Sequence, residues 1–131
     1  MKAADLMLND WVQVYDMDCS WERHQIAVID PAVVVFKDGF DEVNIGNIEP
    51  IVLTSEILEK NGVCRKGAII QLVDDLVKVY VTVRNESEHN FLIGITGGYG
   101  NGKILFTKSI EYVHELQHAL RMCKIDKEIE L

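Results

Sequence analysis

The sequence predicts an α+β chain. It opens with a small N-terminal antiparallel β-barrel or curled sheet of SH3-like type. A short linker helix, a second antiparallel β-sheet and a C-terminal amphipathic helix follow. Three observations predict this. Short β-rich runs recur about every ten residues up to position 52, the rhythm of a small sheet or barrel. A capped helix signal follows at Thr54. Apolar residues at helical spacing run from Ile110 to Cys123. At 131 residues a single domain over 1–131 is expected, divisible into a strand-rich 1–52 and a 53–131 of helix, hairpins and helix.

Each element has a local cause. Leu8-Asn9-Asp10 is a turn signal, and Trp11 to Tyr15 after it is rich in β-formers. Gln25 to Ile29 is a second run, stopped by Asp30-Pro31. Ala32 to Phe36 is a third, closed by the hairpin turn Lys37-Asp38-Gly39, and Glu42 to Ile45 a short fourth. Pro50 to Leu53 reads as extended. Thr54 caps a helix with Glu56 in its first turn, Leu53 and Leu58 stand at staple positions, and Asn61-Gly62 ends it. Strands are then expected at Ala68–Val73, Leu76–Arg84, Phe91–Thr96 and Lys103–Thr107. The last helix, Ile110 to Cys123, is expected to be capped by Thr107 or Ser109.

Charge excludes some functions. The net charge is −8, and residues 1–59 carry 12 acids against Lys2, Arg23 and Lys37. Residues 60–131 are nearly balanced, with 10 bases and 9 acids. Binding to nucleic-acid phosphates needs clustered Lys and Arg, so nucleic acid is an unfavoured partner. No apolar run reaches the ~20 residues of a membrane span. The N-terminus lacks the basic and apolar regions of a signal peptide. Cys19, Cys64 and Cys123 are odd in number and widely spaced, which fits free thiols in the cytoplasm.

His114-Glu115-Leu116-Gln117-His118 matches H-E-x-x-H on a predicted helix. Histidines four apart share a helix face and can bind one zinc, with the glutamate as general base. The third ligand is missing where the extended pattern places it: Arg121 and Lys124 stand at its glycine and histidine positions. Only 13 residues follow His118, so a third ligand would come from upstream, such as His24 or His89. A helical wheel puts His114 and His118 on the polar face, opposite Val113, Leu116 and Leu120. The expected reading is therefore two solvent-facing histidines, with a zinc site the alternative.

Gly97 to Lys103 fits part of a phosphate-binding loop, but Ile104 replaces the magnesium-binding Ser or Thr and a strand follows instead of a helix. A glycine-bearing hairpin loop is the simpler reading. Asp16-Met17-Asp18 begins like a calcium loop, yet Trp21 and Ala27 occupy its required glycine and acid positions. Trp11, Trp21, Phe40 and Tyr99 read as core or rim aromatics of a small sheet.

The strings Ile48-Glu49-Pro50-Ile51-Val52-Leu53-Thr54-Ser55-Glu56-Ile57-Leu58-Glu59-Lys60-Asn61-Gly62 and Tyr112-Val113-His114-Glu115-Leu116-Gln117-His118-Ala119-Leu120, with Leu8-Asn9-Asp10-Trp11-Val12 at the start, carry a resemblance. They resemble an uncharacterised family of small proteins from gut bacteroidete bacteria and their phages and mobile elements. The resemblance implies an intracellular accessory protein encoded by such an element. It implies no cofactor or catalytic residue.

The leading expectation is a non-enzymatic protein-interaction module without a cofactor. It would bind another protein through an acidic surface including Asp16, Asp18 and Glu22, or through an exposed strand edge. A homo-oligomer is compatible with it. The alternatives are a zinc-dependent hydrolase using His114, Glu115 and His118, and a nucleic-acid-associated accessory protein. The hydrolase alternative predicts stoichiometric zinc that His114→Ala removes, read by elemental analysis of protein purified without chelator. Metal-free parent protein would dismiss it.

Overall fold

The computed structural model describes residues 1–62, 68–74, 77–87, 90–97, 103–122 and 128–131; at 68–74, 77–87, 95–97 and 103–107 the backbone alone is described. The chain is mixed α+β, with two antiparallel sheets and a C-terminal helix. It forms two compact units. The first comprises Met1–Ile51 with Tyr112–His114, the second Val52–Glu111 with Glu115–Leu131.

The first unit is built from β1 (Trp11–Tyr15), β2 (Trp21–Ile29), β3 (Val33–Phe36), β4 (Val43–Asn44) and β5 (Ile48–Pro50), in the order β4-β3-β2-β1-β5. β1 lies where its composition places it. β2 starts four residues earlier than the apolar run at Gln25, because Trp21 to Arg23 pair with Tyr15 to Gln13. A polar stretch thus becomes strand through its partner. β2 serves two neighbours: its first half pairs with β1, its second with β3. A register shift between Ile26 and Val28 makes Ala27 an extra residue on this strand. A bulge of this kind bends a strand and reverses which face later side chains take. Ile26 is accordingly buried, Val28 is exposed, and Ile29 packs against the core.

That core holds Leu6, Val12, Val14, Ile26, Val34, Phe36 and Ile48. Val12 and Val14 alternate inward along β1, the pattern of a half-buried strand. The turn after β3 uses Gly39 at φ 79°, a conformation glycine adopts without steric cost. Between β4 and β5 a 3-10 turn, Ile45–Asn47, is capped by the Asn44 side chain, which accepts from the Gly46 N–H at 2.9 Å.

In the second unit, α1 (Ser55–Lys60) has the ends its sequence specifies. The Thr54 hydroxyl accepts from the Ile57 N–H at 3.3 Å, and Gly62 follows at φ 90°. Asn61 is buried. Its amide N–H donates to the Ile57 and Glu130 carbonyls at 2.8 and 2.7 Å, and its oxygen accepts from the Glu130 N–H at 2.9 Å. The second sheet is a four-stranded meander of β6 (Ala68–Asp74), β7 (Val77–Ser87), β8 (Asn90–Gly97) and β9 (Lys103–Ile110).

α2 (Val113–Met122) begins three residues later than the apolar period suggests. β9 runs to Ile110, paired with Phe91, so the ladder claims the residues expected to start the helix. Thr107 and Ser109 are therefore strand residues, not caps. The Glu115 carboxylate instead accepts from the Glu111 N–H at 2.8 Å, in the first turn where an acid is favoured.

Ile26 is fully buried. Ile26→Ala is expected to lower unfolding free energy by about 2–5 kcal/mol through lost apolar burial and a residual cavity, measured by urea unfolding. A loss under half that would show that Ile26 is not packed as described.

Candidate functional site

The hairpin between β1 and β2 concentrates the exposed chemistry of the first unit. Asp16 builds its loop. The Asp16 N–H donates to the Ser20 carbonyl at 2.9 Å, its carbonyl accepts from the Cys19 N–H at 3.0 Å, and its carboxylate accepts from the Met17 N–H at 2.7 Å. Cys19 takes φ 61°, a left-handed conformation uncommon outside Gly, Asn and Asp. The turn therefore projects Met17, which is 98% exposed. Beneath it, Tyr15 and Trp21 are opposed across the strands as an edge-to-face pair, centroids 5.0 Å apart, and both are about half exposed. Three large apolar side chains are thus exposed at one hairpin.

The three acids named from sequence have different fates. Asp16 is committed to the loop. Asp18 is exposed at the tip and, among the described residues, makes no hydrogen bond or ion pair. Glu22 follows the β2 alternation toward the same side as His24 and Ile26, and its carboxylate lies 3.5 Å from His24 Nε2.

His24 is 5% exposed. Its Nδ1 lies 2.6 Å from the Asp38 carboxylate, in the turn after β3. Its ring stacks obliquely on Phe40 and Phe36, centroids 4.2 and 4.9 Å away. The hydrogen bond to His24 holds the Asp38 carboxyl below its usual range; partial desolvation opposes this, and the Phe40 N–H and the imidazole's charge reinforce it. An aspartate on Nδ1 is the arrangement that orients a histidine base in nucleophilic enzymes. Here Nε2 is buried and, among the described residues, without a hydrogen-bond partner, and it faces the Glu22 carboxylate. The group is thus a clamp tying β2 to the β3–β4 turn. Sequence reading missed the clamp, since its members stand 14 residues apart; the Asp-Gly turn was the visible half of the signal.

On α2 the histidines are not both solvent-facing, which corrects the helical-wheel expectation. His114 is buried, as is Gln117, and His118 is half-buried. The wheel reads side-chain polarity, whereas burial depends on what covers each turn; the less buried line here is Glu115, His118, Arg121 and Met122. His114 belongs to the first unit, stacked on Tyr112 at 5.8 Å, and Glu115 and His118 to the second. Besides its bond to Glu111, Glu115 pairs with Lys108 at 3.7 Å, so both carboxylate oxygens serve the helix start. Among the described residues no three His, Cys, Asp or Glu are grouped to hold a metal.

Gly98 to Gly102 of the glycine-rich loop, the Arg65-Lys66 pair, His89, Tyr99, Cys64 and Cys123 lie outside the described residues. Among the described residues, Cys19 is an exposed cysteine in no disulfide. No helix among the described residues is long and apolar enough to cross a membrane.

No family model matches the chain, and neither a curated protein nor a solved structure matches it.

The lowered Asp38 value fixes a pH dependence. A carboxylate held below its ordinary value of about 3.9 contributes stability that is full above that value and lost as pH falls through the lowered one. Asp38→Asn is expected to flatten the acid limb of the urea midpoint below about pH 4. An acid limb as steep as the parent's would show that the clamp contributes nothing.

Proposed function

We propose that the chain is a non-enzymatic protein-interaction module, and that its contact surface is the β1–β2 hairpin tip. The observation that carries this is the exposed Tyr15, Met17 and Trp21 cluster beside Asp18. Aromatics and methionine are the residue types that anchor interfaces, and they bring large area at low entropic cost. The −9 net charge of residues 1–59 selects the partner's sign. A basic, extended segment satisfies both features: its cations meet Asp18 and the ring faces, and its stems cover the aromatic pair. Nucleic acid fits poorly, because its phosphates would meet like charge.

The strand order β4-β3-β2-β1-β5, with a long bent β2 and a 3-10 turn before β5, supports reading the first unit as an SH3-like small barrel. The free Cys19 thiol supports a reducing, cytoplasmic setting. In that setting the module is an accessory protein of a phage or mobile element, as its sequence resemblance implies.

The test is a titration with lysine- and arginine-rich peptides beside acidic ones, followed by amide and side-chain NMR shifts. Basic peptides are expected to shift Tyr15, Met17 and Trp21. Trp21→Ala or Asp18→Lys is expected to weaken binding by roughly tenfold, in the range of interface anchors. Shifts confined to other surfaces, or equal binding by both variants, would remove the hairpin as the site.

A further inference from the structure

Among the described residues the two sheets end in four edge strands, and three of them carry devices that blunt an edge. β4 is two residues long, β5 is three residues long and ends in Pro50, and β9 carries Lys103 and Lys108. Short length, proline and lysine are the means by which proteins keep edges from pairing with other chains. β6 has none of them. Its seven residues, Ala-Ile-Ile-Gln-Leu-Val-Asp, contain no lysine, arginine, proline or glycine. Every one of them pairs with β7, from Ala68 opposite Val83 to Asp74 opposite Val77. Among the described residues β6 has no strand on its other side.

We propose that this edge is the seam of a homodimer, in which β6 pairs antiparallel with β6 of a second copy across a twofold axis. The two meanders then form one continuous sheet. The strand is self-complementary in the required way. A register centred on Gln71 pairs all seven residues, sets Ile69 opposite Val73 and Ile70 opposite Leu72, and places the one charge, Asp74, opposite Ala68. No like charges meet, which is the condition for a stable antiparallel pair. A twofold contact of this kind closes on itself and does not propagate. The overall charge of −8 does not oppose it, because the excess lies in residues 1–59 while residues 60–131 carry 10 bases against 9 acids. The seam and the hairpin tip use different residues, so the inference stands or falls independently of the proposed function.

The test uses the full chain and reads mass by light scattering and sedimentation across a dilution series. The expected result is twice the 14.9 kDa chain mass, dissociating on dilution. Gln71→Lys sets two ammonium groups opposite each other on the axis and is expected to raise the dissociation midpoint roughly tenfold. Lys108→Gln on the other edge is expected to leave it unchanged. Gln71→Cys is expected to crosslink under mild oxidation, with the disulfide mapped to position 71 of both chains, since directly opposed residues stand within bridging distance. This variant decides the matter if Gln71→Lys fails to fold. A monomeric parent at every concentration overturns the proposal. So does a dimer that Gln71→Lys leaves intact and Gln71→Cys does not crosslink.

Discussion

The bulge at Ala27 is the constraint on which the first unit depends. One nine-residue strand must serve β1 and β3, and a strand of unbroken alternation would present the same parity to both. The extra residue changes parity between Ile26 and Ile29, so both reach the core while Val28 turns to water. Upstream of the bulge the same parity sends Glu22 and His24 inward and Trp21 outward. The faces taken by the clamp and by the aromatic pair follow from this unbroken alternation and from the pairing with β1.

The clamp and the hairpin tip divide the acids of the first unit by role. Asp38 and Glu22 flank an imidazole enclosed by Phe36 and Phe40, and Asp16 holds a turn. Asp18 remains in water beside Met17. An excess of negative charge in a sequence thus overstates the charge offered to a partner. Acids engaged in local structure add to the long-range field that steers association but supply no new contact. The exposed chemistry of the tip is chiefly aromatic and thioether, with one carboxylate.

The two motif-like strings show how far spacing carries. H-E-x-x-H specifies which side chains share a helix face and says nothing about whether the ligands are otherwise engaged. Glu115 closes the start of α2 through Glu111 and Lys108, and His114 is enclosed with Tyr112 stacked on it. The glutamate in the first turn of a helix is also what the helix dipole favours, so the motif's middle member has a purely structural cause.

The sequence by itself determined the elements whose causes are local. β1 follows from its β-branched and aromatic composition, α1 from Thr54 and the Asn61-Gly62 stop, and the hairpin turn from Asp38-Gly39. The acidic first half and the unguarded composition of β6 are likewise properties of the chain as written. Tertiary structure decided what depends on a distant partner. Trp21 to Arg23 are strand because β1 lies beside them, and Lys108 to Ile110 are strand because β8 does. Asp38 meets His24 across 14 residues, and His114 is buried despite its place on the polar side of the wheel. Propensity, capping and turn chemistry act over a few residues, whereas ladder pairing and burial are set by which segments the fold brings together, and where the two conflict the long-range terms prevail.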